Sequence, residues 1–256
     1  MDIKAYAKVN LILNIKGKRP DGYHEIETLM QTAPLHDNLS INVGRGSGIW
    51  INGSGLPVNC SPSNLVYRAA ALMSEKFDKS GHIVIDLEKN IPIAAGLGGG
   101  SSDAAAVIFA LSKIWGIDDE KALYSVASSL GSDIAFCLGA QLGHPMAIGR
   151  GRGEILEFVS EPPLDLRLTT KDIHVRNKTA EVYKELKPED YNLQHNIDAF
   201  FAAKSLEEKN ALLGNHLQAP ALRVFKRQGF EIEELSSNID KKYHLSGAGP
   251  TIFTII

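Results

Sequence analysis

The strongest chemical signal in this sequence is the stretch Lys89-Asn90-Ile91-Pro92-Ile93-Ala94-Ala95-Gly96-Leu97-Gly98-Gly99-Gly100-Ser101-Ser102-Asp103-Ala104-Ala105-Ala106. Glycine accepts positive φ and lets another molecule approach the backbone closely, so Gly96, Gly98, Gly99 and Gly100 can turn several N–H groups into one concavity. A helix starting there adds the partial positive charge of its N-terminus, which suits an anion, most simply the phosphates of a nucleotide. The flanks fit that picture. His82-Ile83-Val84-Ile85-Asp86-Leu87 is rich in β-branched residues and reads as a strand, which Pro92 ends. Downstream, Ala104, Ile108, Leu111 and Trp115 recur at helical spacing, with Ser101 or Ser102 as the expected cap. The stretch therefore reads as strand, glycine turn and helix.

Two familiar phosphate loops do not fit. A Walker loop needs Gly-Lys-Ser/Thr so that a lysine reaches the phosphates, and no lysine follows Lys89 here. The dinucleotide fingerprint fails because Ser101 stands where its third glycine belongs.

Other chemistry-bearing residues are weaker signals by themselves. From Ile3 to Ile15 the odd positions are apolar while Lys4, Tyr6, Lys8, Asn10 and Asn14 fall on the even ones. A period of two means a strand with Lys8 and Asn10 on one face, and periodicity alone leaves that face to solvent. Arg19-Pro20-Asp21-Gly22 is a turn, with Tyr23-His24 beside it, where an aromatic face could stack on a planar ring. Asp133, in Gly131-Ser132-Asp133-Ile134-Ala135-Phe136, is either a helix cap or a carboxylate that needs a partner among apolar neighbours.

These residues need elements to hold them. Strands are expected over Ile26–Thr32 and Leu39–Val43, a loose hairpin over Gly44–Gly55, and a helix opening at Ser61-Pro62-Ser63-Asn64 with Leu65, Ala69, Leu72 and Met73 at helical spacing. A helix starts at Asp118-Asp119 and ends at Leu130-Gly131. Gly149-Arg150-Gly151-Arg152-Gly153-Glu154 is a glycine turn between two strands. Glu161-Pro162-Pro163 cannot sit inside a sheet or helix, so the domain division is set there, giving residues 1–160 and 161–256. The second part alternates: a strand over Leu164–Thr170, helices over Thr179–Leu186, Asp198–Leu213 and Ala219–Gly229, and strands at Tyr243–Leu245 and Thr251–Ile256 around Ser246-Gly247-Ala248-Gly249-Pro250.

Composition narrows the function classes. A chain of 256 residues with 44% hydrophobic and 22% charged residues is ordinary for a globular protein of one large or two modest domains. A net charge of −3 offers no basic footprint for nucleic acid. Cys60 and Cys137 are the only cysteines, which excludes a disulfide framework and a four-cysteine zinc site. Met1-Asp2-Ile3-Lys4 is not the start of a signal peptide and no run is long and apolar enough to span a membrane, so a cytoplasmic protein without membrane contacts is expected.

Taken together, Lys8-Val9-Asn10, the stretch from Pro92 to Ser102 with its Pro-x-x-x-Gly-Leu-Gly-x-x-Ser-Ser pattern, and Leu245-Ser246-Gly247-Ala248-Gly249 resemble, in order and spacing, the three motifs of the GHMP kinases. Arg19-Pro20-Asp21-Gly22-Tyr23-His24-Glu25, Gly131-Ser132-Asp133 and Gly153-Glu154-Ile155-Leu156 are similar to the members that act on a cytidine-diphosphate-linked methylerythritol. The resemblance covers nearly the whole chain. It implies an α+β, two-domain fold, an N-terminal domain like the second domain of ribosomal protein S5 followed by a ferredoxin-like domain. It also implies ATP and Mg²⁺ as cofactors, a small-molecule acceptor, and a monomer or homodimer.

Residue by residue, the resemblance makes Asp133 the acceptor of the hydroxyl proton and Lys8 its charged neighbour, with both catalytic, and lets Asn10 orient the hydroxyl. Tyr23, His24 and Tyr183 match the residues that hold the cytosine. Asn64 matches a position near the adenine. Pro92, Ala94, Ala95, Gly96, Leu97, Gly98, Gly99, Gly100, Ser101, Ser102, Asp103 and Ala104 match the ATP-binding stretch. The metal ligands are left unassigned. Relatives usually continue through a further helix after the last strand, and they commonly carry proline where Ala135 stands; Gly143-His144-Pro145 is also unusual. The rivals are a GHMP kinase for mevalonate, homoserine or a sugar, which would have no pyrimidine for Tyr23, and a catalytically silent nucleotide-binding regulator, which would not need Lys8 and Asp133.

Overall fold

The computed structural model describes residues 1–191, 194–236 and 242–256. Its chain folds into two compact units that interleave along the sequence: unit 1 comprises 1–8, 32–93 and 98–145, and unit 2 comprises 9–31, 94–97 and 146–256. Two long strands, β1 (Asp2–Lys18) and β2 (His24–Gly44), run through both. The expected separate strands at 26–32 and 39–43 are thus one continuous element. The backbone stays extended through 33–38 while the pairing partner of β2 changes from 146–151 to 82–88.

In unit 1, β2 pairs antiparallel with β4 (His82–Lys89) from Asn38 to Gly44, while β3 (Gly48–Gly55) pairs with β4 in parallel. The hairpin expected over 44–55 is therefore not formed: β3 crosses to the far side of β4. Two helices follow the expected patterns, and a further one, over 132–141, goes beyond them. Helix α1 (Leu65–Lys76) is capped by Asn64, whose side chain accepts the Val66 N–H, and it buries Val66, Ala69, Ala70 and Met73. Helix α3 (Glu120–Leu130) is capped by Asp119, and α4 (Ser132–Gln141) follows directly.

Helix α2 (Gly99–Trp115) corrects the expected cap. It begins inside the glycines, with Gly98 at the N-cap in the left-handed region (φ 66) and no side-chain cap. Ser102 is already in the helix and its hydroxyl donates to the Tyr6 carbonyl at 2.7 Å. Only glycine takes that φ without strain, and a Cβ at Gly98 would press to 2.9 Å from Lys8 Cγ. Steric contact, then, decides where this helix starts. The small residues Ala104, Ala105 and Ala106 are fully buried behind it.

Unit 2 begins with the rest of β1 and β2, where β2 pairs with β5 (Met146–Gly151), and β5 turns antiparallel into β6 (Ile155–Phe158). After 161–163 come β7 (Leu166–Thr170), α5 (Lys178–Lys184), α6 (Ile197–Ala202), α7 (Leu206–Leu212), β8 (Gly214–Asn215), α8 (Gln218–Arg227), α9 (Glu233–Ser236), β9 (His244–Leu245) and β10 (Thr251–Ile255). Strands β7, β10 and β9 form an antiparallel sheet in that order, and β8 extends β1 in parallel at Ile12 and Leu13. The single helix expected over 198–213 is broken at Ala203, where a new capping box on Ser205 starts α7. A core of Leu13, Ile15, Val182, Val224, Phe225 and Ile252 closes this part.

Between Ile3 and Ile15 the polar face of β1 meets solvent only at its start, at Lys4 and Tyr6, and not further on as periodicity alone suggests. Lys8, Asn10 and Asn14 are all buried, and each has a polar partner that makes burial affordable. Asn14, for instance, exchanges two hydrogen bonds with the backbone of His195, at 2.7 and 2.8 Å.

A buried cluster ties the base of the glycine stretch together in unit 1. Lys89, at the end of β4, donates to Asp37 of β2 and, at 2.8 Å, to Asp103 in α2. Asp37 also accepts the Ile91 N–H at 2.8 Å. Two carboxyl groups share one ammonium, and one oxygen of Asp103 has no partner. Burial, and next the Asp37 charge working against Lys89, push Asp103 up to about 8 from 3.8. Between those values Asp103 is protonated in the folded chain and ionised in the unfolded one, so folding takes up a proton and stability falls as pH rises through the window. Asp103→Asn removes the titration. Its melting temperature should gain on that of the parent chain between pH 5 and pH 8; a difference that stays constant over that range would mean Asp103 is ionised in the fold throughout.

Candidate active site

In unit 1 the sequence-predicted pair comes together. Lys8 Nζ lies 3.2 Å from Asp133 Oδ2, the lysine side chain 6% exposed and the aspartate 40%. Asp133 sits in the first turn of α4, where the helix N-terminus favours a negative charge. It is not the cap, since Gly131 holds that position with an extended backbone. The arrangement is thus a buried cation whose carboxylate partner keeps one side open to solvent, which allows that carboxylate to meet a ligand. Cys137 lies one helical turn further on α4 and is fully buried; burial first, then the charge of Asp133, push its thiol up to about 12, so it offers no nucleophile.

The glycine stretch passes from unit 1 into unit 2 at Ala94 and returns at Gly98. In unit 2 the three successive carbonyls of this segment are all occupied: Ala94 O accepts from Lys178 Nζ, Ala95 O from the Thr251 N–H at 3.1 Å, and Gly96 O from Ser246 Oγ at 2.8 Å. Gly96 has φ 82, and a Cβ there would meet the Ser246 carbonyl at 2.3 Å. The late turn Ser246–Gly249 is thus packed against the glycine segment. Buried carbonyl oxygens need donors, and these three bonds supply them and hold the segment in place. At the other end, the first turn of α2 leaves N–H groups with no partner inside the helix.

Asn64 is engaged locally. Its oxygen caps α1 and its amide nitrogen donates to Asn59 O at 2.6 Å. Asp103 and Ala104 are turned into the interior of unit 1, Asp103 towards Lys89.

The aromatic residues belong to unit 2. Tyr23 is 58% exposed and Arg152 holds its guanidinium 5.0 Å from the ring centroid. The turn before it is rigid: Asp21 accepts the Tyr23 N–H at 3.1 Å, Arg19 N donates to Tyr23 O at 2.8 Å, and the Arg19 side chain bonds Asp21 and Glu25. His24 and Tyr183 stack with centroids 5.0 Å apart and planes 31° off parallel. Burial, helped by the Lys18 charge, lowers the His24 pKa, which favours the neutral ring with one donor and one acceptor nitrogen. Asn10, two residues after Lys8 on β1, donates to Thr28 Oγ1 at 2.8 Å, and that hydroxyl donates to Ile12 O at 2.7 Å. This chain of bonds fixes which end of the amide is which.

Sequence reasoning missed Thr28, Arg152 and Lys178. Thr28 is one polar residue in an alternating strand, and Arg152 was visible only as part of a glycine turn. Nothing local marks Lys178, whose partner lies 84 residues earlier. Among the described residues no three of His, Cys, Asp and Glu gather as a metal site. The Ser102 hydroxyl donates to Tyr6 O, and Glu154 accepts the Arg152 N–H.

Comparison with known proteins identifies the family. Residues 64–141 match the model of the GHMP kinases N terminal domain. A 4-diphosphocytidyl-2-C-methyl-D-erythritol kinase of Bacillus pumilus is 35% identical over 259 residues, 99% of this chain and 87% of that protein. Its counterpart from Pelotomaculum thermopropionicum is 38% identical, covering 97% of this chain and 86% of the relative. A crystal structure of 4-(cytidine 5'-diphospho)-2C-methyl-D-erythritol kinase superposes with TM-score 0.81 at 34% identity, over 100% of this chain and 90% of that one. The Methanococcus jannaschii mevalonate kinase, at TM-score 0.68 but 16% identity over 100% of this chain and 90% of that one, shares the fold. With identity above a third along almost its entire length and a superposable fold, this chain belongs to the 4-diphosphocytidyl-2-C-methyl-D-erythritol kinases of the GHMP kinase superfamily.

Proposed function

We propose that this protein transfers the γ-phosphoryl group of ATP to the 2-hydroxyl of 4-diphosphocytidyl-2-C-methyl-D-erythritol, in the non-mevalonate route to isoprenoid precursors. The observation that carries the chemistry is the 3.2 Å contact between buried Lys8 and part-exposed Asp133. Phosphoryl transfer asks a protein for positioning and charge stabilisation, with help in removing the acceptor proton. Asp133 takes the proton of the 2-hydroxyl. Lys8 stays paired to it and offers its charge to the transferring group. Asn10, its amide oriented by Thr28, aligns the hydroxyl.

For ATP we assign the backbone from Pro92 through Ala94, Ala95, Gly96, Leu97, Gly98, Gly99, Gly100, Ser101, Ser102, Asp103 and Ala104, and the neighbourhood of Asn64 for the adenine. Among them Asn64 acts through the start of α1, because both ends of its amide are already engaged. Mg²⁺ is expected to arrive with the nucleotide, since this ion commonly takes most of its ligands from phosphates and water. For the acceptor, Tyr23 stacks on the cytosine while His24 and Tyr183 meet its edge and other face. The division into a kinase domain of residues 1–160 and a second domain of 161–256 is part of this reading, and it is supported by the separate sheet of β7, β10 and β9. The enzyme is expected in the cytoplasm, as monomer or homodimer, acting without nucleic acid.

A kinase for mevalonate, homoserine or a sugar would leave the exposed Tyr23 and the His24–Tyr183 stack without a use, which favours the cytidyl acceptor. ADP release with ATP and Mg²⁺, offering the cytidyl substrate beside mevalonate, homoserine and galactose, is expected only with the first; turnover confined to another acceptor would keep the kinase and overturn the pocket. Asp133→Asn keeps the shape and removes the base, so kcat should fall by roughly a hundredfold or more while ATP still binds. Near-normal kcat in that variant would end the assignment. Tyr23→Ala should raise KM for the cytidyl acceptor about tenfold, the scale of one lost base stack, with KM for ATP little changed; parallel rises in both would count against a cytosine stack.

A further inference from the structure

Lys178 opens α5 and is 5% exposed, yet its Nζ meets only a neutral partner in the structure, the carbonyl of Ala94. Among the described residues no carboxylate pairs with it, and burial is the sole influence on its titration, lowering it to about 8. The charged groups of the surrounding elements are committed elsewhere. On α8, Arg223 and Arg227 pair with Asp190 and Glu185, and on α5 itself Glu181 pairs with Lys184. His24, whose ring stacks on Tyr183 of the same helix, responds to Lys18. A buried ammonium carries three donors and a full charge, and one carbonyl dipole compensates it poorly. Such a group is suited to receiving an anion.

The backbone adds a second observation. Ala94 and Asn177 both have positive φ, 55 and 50, and only Asp78 shares that property among the described non-glycine residues. One is the acceptor of the Lys178 bond and the other directly precedes Lys178 in the chain. Strained residues persist where their surroundings over-determine them, and such places gather at ligand sites. The strain thus brackets the one contact that fixes this ammonium, and Ala94 belongs to the stretch assigned to the phosphates.

We propose that Lys178 is a further ligand-binding residue of this kinase, its ammonium, held at the Ala94 carbonyl, taking a phosphate oxygen of a bound reactant. The phosphate is either in the triphosphate of ATP or in the diphosphate of the acceptor. The inference rests on the kinase reading above and adds a second cation to Lys8, which serves the transferring group. Since the charge is what binds, affinity for the phosphate decreases as pH rises past about 8, even though a neutral amine still donates to Ala94.

The test is calorimetric titration of the full chain with MgATP and, separately, with CDP as the probe for the acceptor's diphosphate. Lys178→Gln keeps a donor for the Ala94 carbonyl and removes the charge. It should weaken one of the two ligands about tenfold at pH 7, as expected for a lost charge-assisted hydrogen bond, and the ligand that weakens identifies the source of the phosphate. For that ligand the parent chain should lose affinity between pH 7 and pH 9 while Lys178→Gln does not. Equal binding of both ligands by parent and variant overturns the proposal. If the variant melts far below the parent, the parent's own pH series decides, and affinity for both ligands that is flat from pH 7 to pH 9 overturns it equally. Absence of CDP binding by the parent chain would strike the cytidyl reading instead, and the ATP titration would still decide on Lys178.

Discussion

A backbone that turns through several glycines leaves carbonyl oxygens that, once buried, must each find a donor. Much of this structure follows from that constraint. The carbonyls of Ala94, Ala95 and Gly96 are taken one by one by Lys178, Thr251 and Ser246. Gly96 is excluded from carrying a side chain by the Ser246 carbonyl, and Gly98 by the stem of Lys8. The last glycine turn of the chain, 150 residues after Gly96, is therefore needed to hold the first in its conformation, so two stretches far apart in sequence meet one hydrogen-bonding requirement.

Buried lysines are the second theme, and each is compensated differently. Lys89 has two carboxyl groups and serves structure, clasping the end of β4 to the start of α2. Lys8 has one, and that carboxylate remains 40% exposed, so the pair is stable and still able to meet a ligand. Lys178 has a carbonyl and, among the described residues, no carboxylate. Read as a series, the fewer the fixed negative groups around a buried ammonium, the more of its charge is left for something that binds.

The elements whose signals are local were legible in the sequence. Helices α1 and α3 start where Asn64 and Asp119 offer a side-chain oxygen, and β4, the glycine turn and α2 follow in the expected order. What could not be read depends on non-local partners. The even face of β1 looks like a solvent face until Asp133, Thr28 and His195 are brought to it from distant parts of the chain. Strand β3 looks like half of a hairpin because nothing in its own residues says that its neighbour is β4 in parallel. The start of α2 was expected at a serine since serines cap well, but a left-handed glycine under Lys8 turns the chain earlier. Motif resemblance supplied Lys8 and Asp133 where periodicity could not.

The turn 19–25 shows how rigidity can replace contact number. A tyrosine 58% exposed would ordinarily sample several rotamers and bind a flat ring weakly, since ordering it costs entropy at the moment of binding. Here the backbone on both sides of Tyr23 is fixed by Asp21 and Arg19, and Arg152 lies over one ring face. Only the opposite face is left for a planar partner. His24, stacked on Tyr183 and kept towards its neutral form by burial, presents one donor and one acceptor nitrogen. On the reading proposed above, a cytosine edge would engage one of those nitrogens, and discrimination would come from an orientation settled before binding, with the turn 19–25 as its support.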